Sequence, residues 1–221
     1  MPSFGISAFL RIVHMNPRPQ RTELRRRLTP REGGYDFHNS LRRLAYRMMV
    51  EGEPLASLLL ATAAISQEPE RRSAHAGLQR LDSWRVANPG TISTFEAVTV
   101  RSPGQAFSVR FTPNFGLQVG GQPVAVHVWN TTSPRLELRL VRAVLSLFED
   151  AYRDTVSPPS DLAVLCLRTM RLIRLGDAVE VASLGQLIAT NIDGIFREIE
   201  SELREPPAAP GDRPLAPPPA E

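Results

Sequence analysis

Four histidines, His14, His38, His75 and His127, are the side chains of this sequence whose ordinary pKa lies near neutrality, which makes them the first candidates for a general base or a metal ligand. No two of them stand three to five residues apart and no H-E-x-x-H segment occurs, so a zinc site would have to be assembled from distant parts of the chain. Serines are plentiful, but no G-x-S-x-G elbow marks a nucleophile and no serine, histidine and acid follow one another in a recognisable order. Cys166 is the single cysteine and sits inside the apolar run 162–167. It excludes an intramolecular disulfide and a cysteine-based zinc cluster, and it reads as a buried structural thiol. The chain contains no lysine, since all 26 basic residues are arginine. Schiff-base chemistry, pyridoxal phosphate attachment and a Walker A phosphate-binding lysine are thereby excluded. Together these absences point to a binding protein rather than an enzyme.

The arginines carry the positive evidence. The net charge is only +3, yet the first 50 residues hold ten arginines against Glu23, Glu32 and Asp36. A planar guanidinium matches a phosphate with two parallel hydrogen bonds, so such a cluster attracts nucleic acid. Arg25, Arg26, Arg27, Arg42 and Arg43 are the candidates here. Two other readings stay open, a solvated helix surface and a dock for an acidic protein partner.

Helices and strands must position these groups. An apolar stretch at 4–13 ends at Asn16-Pro17, an arginine-rich helix follows to residue 28, and Thr29-Pro30 and Gly33-Gly34 break the chain. Asp36 is placed to cap a third helix, in which Leu41, Leu44, Met48 and Met49 recur at helical spacing. Further helices are predicted at 55–65 and 69–86, ended by Asn88-Pro89-Gly90, which makes 1–88 a helical part. From residue 90 the period changes to that of strands, at 92–100, 106–112, 116–119 and 124–130. Gly120-Gly121 predicts a tight hairpin between the last two of these, not a phosphate loop, because phosphate loops hand over to a helix N-terminus. A helix at 134–152, strands at 161–167 and 171–175, and a long amphipathic helix at 181–203 complete an α/β core over 90–204. In the last helix Leu184, Leu187, Ile188, Ile192, Ile195, Phe196 and Ile199 form the expected core face. The proline- and alanine-rich end, 205–221, is too poor in apolar side chains to fold and is expected to be disordered.

Between residues 110 and 142 the order is strand, Pro113-Asn114, hairpin, a strand carrying His127 and Trp129, and then a helix, with a further strand at 162. Over 92–175 this order resembles the PD-(D/E)XK nuclease superfamily, in which a proline-aspartate pair and an acid-x-lysine triplet on the next strand hold magnesium and orient water. The resemblance places Asn114 at the aspartate, His127 at the second acid and Trp129 at the lysine. None of these three can do the chemistry of the residue it replaces, so the resemblance implies a degenerate core without a metal or other cofactor. Glu96, or Glu68 and Glu70, could supply substitute acids, and in that alternative the protein would be a magnesium-dependent nuclease. Alternation along the strand also puts Ala125, His127 and Trp129 on one face, where the two large residues could simply pack beneath a helix. Arg135, Arg139 and Arg142 are expected on a common face of the following helix as a second phosphate-contacting row.

The sequence thus leads to an α/β (α+β) fold, a helical N-terminal part followed by a small mixed sheet flanked by helices. Its expected role is non-catalytic: nucleic-acid binding, or a scaffold subunit in a nucleic-acid-processing or phage-defence assembly. A pure protein-interaction module is the remaining alternative, and a protein partner or a second copy of the chain is expected in either case. No apolar run of about 18 residues exists to cross a bilayer and no secretory signal opens the chain, so the expectation is a cytoplasmic protein without a membrane partner.

Overall fold

A computed structural model describes residues 1–28, 36–176 and 179–204. The predicted breaks at Thr29-Pro30 and Gly33-Gly34 and the predicted tail lie outside the described residues. The fold is α/β, with a mixed five-stranded sheet and a mixed three-stranded sheet among helices.

The central strand is β6 (Gln122–Trp129), and its sequence explains the layers. A strand apolar in both registers must be covered on both faces. Val124, Val126 and Val128 pack under one helical layer, whereas Ala125 and Trp129 pack under another. β6 turns back on β5 (Phe115–Val119) through Gly120-Gly121, both at positive φ, as the glycine pair predicts. On its other side it runs parallel to β7 (Asp161–Cys166), which pairs antiparallel with β8 (Arg171–Arg174). β2 (Ile92–Ser93) adds to β5 and completes the order β2-β5-β6-β7-β8.

Beneath the valine face lie α3 (Asn39–Met49), α4 (Leu55–Ala61) and α5 (Glu68–Ala87), which supply Leu41, Leu44, Met48, Leu78, Leu81 and Trp84. The other face is covered by α1 (Ile6–Val13), α6 (Leu138–Ser146) and α8 (Val179–Arg204), and Phe9, Trp129, Val144, Phe148 and Phe196 belong to the core on this side. α7 (Glu149–Arg153) completes the crossover from β6 to β7. The second sheet belongs to this side, with β1 (Ser3–Gly5) parallel to β4 (Ser108–Phe111) and β3 (Val98–Arg101) antiparallel to it. α2 (Pro17–Leu28) lies along α8, where Arg21 bonds Glu198 at 2.8 Å. Gly185 lets α8 approach α6 closely, because a Cβ there would stand 2.3 Å from the Ala143 carbonyl oxygen. No described helix is long and apolar enough to cross a membrane.

Several element expectations change. The strand expected at 92–100 is two strands in different sheets, because the chain bends between them to lay the Phe95 ring over Gly116, where a Cβ would meet Phe95 at 2.4 Å. Phe4 begins no helix; it lies in β1, and the helix starts at Ile6. The helix expected at 134–152 begins only at Leu138, because the Glu137 N–H is held by His14 Nε2 at 2.9 Å, and it divides into α6 and α7. Arg135 therefore precedes the helix and shares no helical face with Arg139 and Arg142. Asp36 does not cap α3 with its side chain. A first-turn donor of that helix, the Ser40 N–H, reaches the buried Glu70 carboxylate of α5 instead, at 3.3 Å. Leu187 of α8 is turned outward.

Candidate functional site

Two parallel pairs, β1/β4 and β6/β7, direct their carboxyl ends to the same side of the molecule. In α/β sheets that is where a crevice opens, since the helices packed on opposite faces leave the strand ends uncovered. Here β1 delivers Gly5, the first turn of α1 delivers Ser7, and the chain leaving β4, β6 and β7 delivers Thr112, Asn130 with Thr131, and Arg168 in turn. They line two adjoining cavities of about 530 and 730 Å³, which share Ser7, Ala8, Arg27, Asp36 and Arg42 and form one cleft.

The cleft is basic. Arg11, Arg27, Arg42, Arg72, Arg110 and Arg168 line it, and Asp36 is the one acid among its described lining residues. Some of that charge is compensated: Arg42 pairs with Asp36, Arg11 and Arg27 with Glu23 at 3.2 and 3.1 Å, and Arg72 with Glu68 at 3.4 Å. Arg27 also lies over the Phe4 ring, 5.5 Å from its centroid. Arg110 and Arg168 have no carboxylate partner among the described residues. Arg168 donates its Nε to the Asn130 carbonyl at 3.2 Å, and burial together with the neighbouring Arg80 pushes its pKa down.

Neutral polar groups form the floor. His127 is 3% exposed, and its Nδ1 faces the Thr112 carbonyl at 2.9 Å. A carbonyl can only accept, so Nδ1 carries the proton and Nε2 accepts from the Ser7 hydroxyl, 2.7 Å away. Burial pushes the His127 pKa down to about 4; the Thr112 carbonyl opposes this, and Arg42 and His38 add to it. His38 is also held low, by burial and then by Arg42, and its Nε2 lies 3.1 Å from the Thr131 hydroxyl. Asn130 donates to the Ser73 carbonyl and hydroxyl at 3.2 and 3.1 Å, while its buried Oδ1 has no partner among the described residues.

Of the residues singled out in the sequence, the structure gathers Arg27, Arg42, His38 and His127 into the cleft. Asn114, His127 and Trp129 do not converge. Asn114 Oδ1 accepts the Val128 N–H at 2.8 Å and so completes the β5–β6 ladder, and Trp129 is buried in the core. Arg25 bonds Glu202 of α8, Arg26 lies on the outer side of α2 near Glu23 at 3.8 Å, and Arg43 is exposed on α3. Arg135 and Arg139 are exposed, and Arg142 donates to the Arg174 carbonyl at 2.9 Å, beside the amino end of β7 and away from the cleft. Glu68 is paired with Arg71 and Arg72, Glu70 caps α3, and the Glu96 carbonyl accepts the Tyr152 hydroxyl at 2.9 Å. Among the described residues no three histidine, cysteine or acidic side chains gather where they could hold a metal ion. The Glu68 and Glu70 carboxylates are engaged with arginines and with α3, and neither these two acids nor Glu96 is among the described residues that line the cleft.

Sequence reading missed Ser7, Arg11, Arg72, Arg110 and Arg168. Arg168 carries a signal, for it directly follows the apolar run of a predicted strand, where α/β folds place ligand contacts. Ser7 carries none, since 120 residues separate it from His127. No known family model matches the chain, and no curated protein matches it either.

Proposed function

We propose that this protein binds nucleic acid, with the sugar-phosphate backbone lying in the arginine-lined cleft at the carboxyl ends of β6 and β7. The observation that carries this reading is the charge of the cleft, six arginines against one acid among its described lining residues, with Arg110 and Arg168 lacking any described carboxylate partner. A single small anion would use one or two of these groups. Their spread, from Arg110 in one cavity to Arg72 and Arg168 in the other, suits the repeated phosphates of a strand.

The test is fluorescence anisotropy with labelled single- and double-stranded oligonucleotides over a salt series. Phosphate contacts release counterions, so the logarithm of the affinity falls linearly with that of the salt concentration, with a slope near 0.7 to 0.9 per contact. Three or more contacts are expected. Weak binding that is flat against salt removes the reading.

A further inference from the structure

Binding alone leaves Ser7 and His127 unused. A buried histidine satisfied by a hydroxyl and a carbonyl is ordinary in a core, but this pair is not confined to one. Ser7 is half-buried and lines both cavities, and His127 lines the smaller one together with Arg27, Arg42 and Arg110. The geometry is that of a nucleophile and its base: hydroxyl to Nε2 at 2.7 Å, with the other ring nitrogen tied to the Thr112 carbonyl at 2.9 Å. That anchor fixes the tautomer that leaves Nε2 free to take a proton. The ring is neutral at neutral pH because burial disfavours its charged form.

We propose that Ser7 is a nucleophile whose proton His127 takes, and that it attacks a phosphodiester held by the cleft arginines. Ser7 Oγ forms a bond to phosphorus while its proton passes to His127 Nε2. The bond from phosphorus to one ester oxygen breaks, and the leaving oxygen takes that proton from His127. Ser7 then carries a phosphodiester and one strand end is a free hydroxyl. Water attacks the same phosphorus, gives its proton to the same nitrogen, and Ser7 leaves with that proton, restoring the enzyme and releasing a phosphomonoester. Charge growing on the phosphoryl oxygens faces Arg27, Arg42 and Arg110, and next to Ser7 the first N–H groups of α1 have no partner within the helix. No redox partner is required. The substrate class rests on the nucleic-acid reading, whereas the pairing of Ser7 with His127 does not.

Diisopropyl fluorophosphate, which phosphorylates activated serines with loss of fluoride, tests the nucleophile directly. Peptide mass spectrometry should find the adduct on Ser7 of the native chain, formed at least 100-fold faster than on the same serine in the urea-unfolded chain. His127→Gln should slow it by a similar factor, and Ser7→Ala should abolish it. The comparison with the unfolded chain stands even where a variant fails to fold. No adduct on Ser7, or equal rates in the native and unfolded chains, overturns the proposal. Bis(p-nitrophenyl) phosphate tests the substrate class: turnover lost in Ser7→Ala supports it, and no turnover by the native chain overturns it. Oligonucleotide anisotropy on the same samples separates the two readings. Labelling without binding removes the nucleic-acid reading and keeps the nucleophile; binding without labelling does the reverse.

Discussion

Asn114 shows how one side chain can hold a sheet together where the backbone cannot. Past the Phe115–Val126 pair the partner strand turns away at Pro113, and the Val128 N–H would be left buried without an acceptor if Asn114 Oδ1 did not supply one at 2.8 Å. Asn114→Ala should therefore lower stability by about 1 to 3 kcal/mol in urea denaturation, the usual cost of an unsatisfied buried donor. His127 makes a prediction about pH. Its pKa falls from 6.5 to about 4 on folding, so between those values the unfolded chain binds the proton first. Stability from this residue is full above pH 6.5 and is lost as the pH falls towards 4, by roughly 3 kcal/mol in total. His38 shifts in the same direction and adds to the slope. Denaturation midpoints measured from pH 7.5 to 4 should fall, and His127→Gln should fall less. At this scale the sequence was partly legible. Alternation along β6 placed His127 and Trp129 on one face, but whether a strand residue meets a cavity or the core depends on which helix covers it, and that is set by remote contacts such as Ser7 with His127.

Elements were more legible where their ends carry chemistry of their own. Gly120-Gly121 specified its hairpin because two adjacent positive φ angles exclude most other residues. The long C-terminal helix followed from its apolar period. Ends fixed by distant partners were not legible: the His14 ring delays α6, and the Phe95 ring divides the strand expected at 92–100. Asp193 is the clearest case of such long-range control. Buried on α8, it accepts from the Ser102 hydroxyl at 2.6 Å, the Gly104 N–H at 2.5 Å and the Ala106 N–H at 3.2 Å, and so shapes the turn between β3 and β4. Asp193→Ala should cost about 3 kcal/mol, because the buried Ser102 hydroxyl and two part-buried N–H groups lose a charged acceptor together. Amide exchange should quicken at Gly104 and Ala106 before it does in β6 and β7.

For the whole molecule, two parallel strand pairs ending on one side create the cleft, and neither pair is local in sequence, since β1 and β4 lie about a hundred residues apart. Counting arginines along the first 50 residues identified a basic region but not its members that share a surface. Arg25 turned to α8 and Arg43 to the outside, whereas Arg110 and Arg168, far along the chain, joined Arg27 and Arg42. The account therefore distinguishes arginines of equal charge by position alone. The most direct test compares Arg42→Ser/Arg168→Ser with Arg43→Ser/Arg139→Ser in oligonucleotide anisotropy across a salt series. The cleft pair should weaken binding at least tenfold and reduce the salt slope by about 1.4 to 1.8, while the surface pair leaves both near the native values. Equal losses from the two pairs, or a larger loss from the surface pair, would contradict the cleft as the binding site.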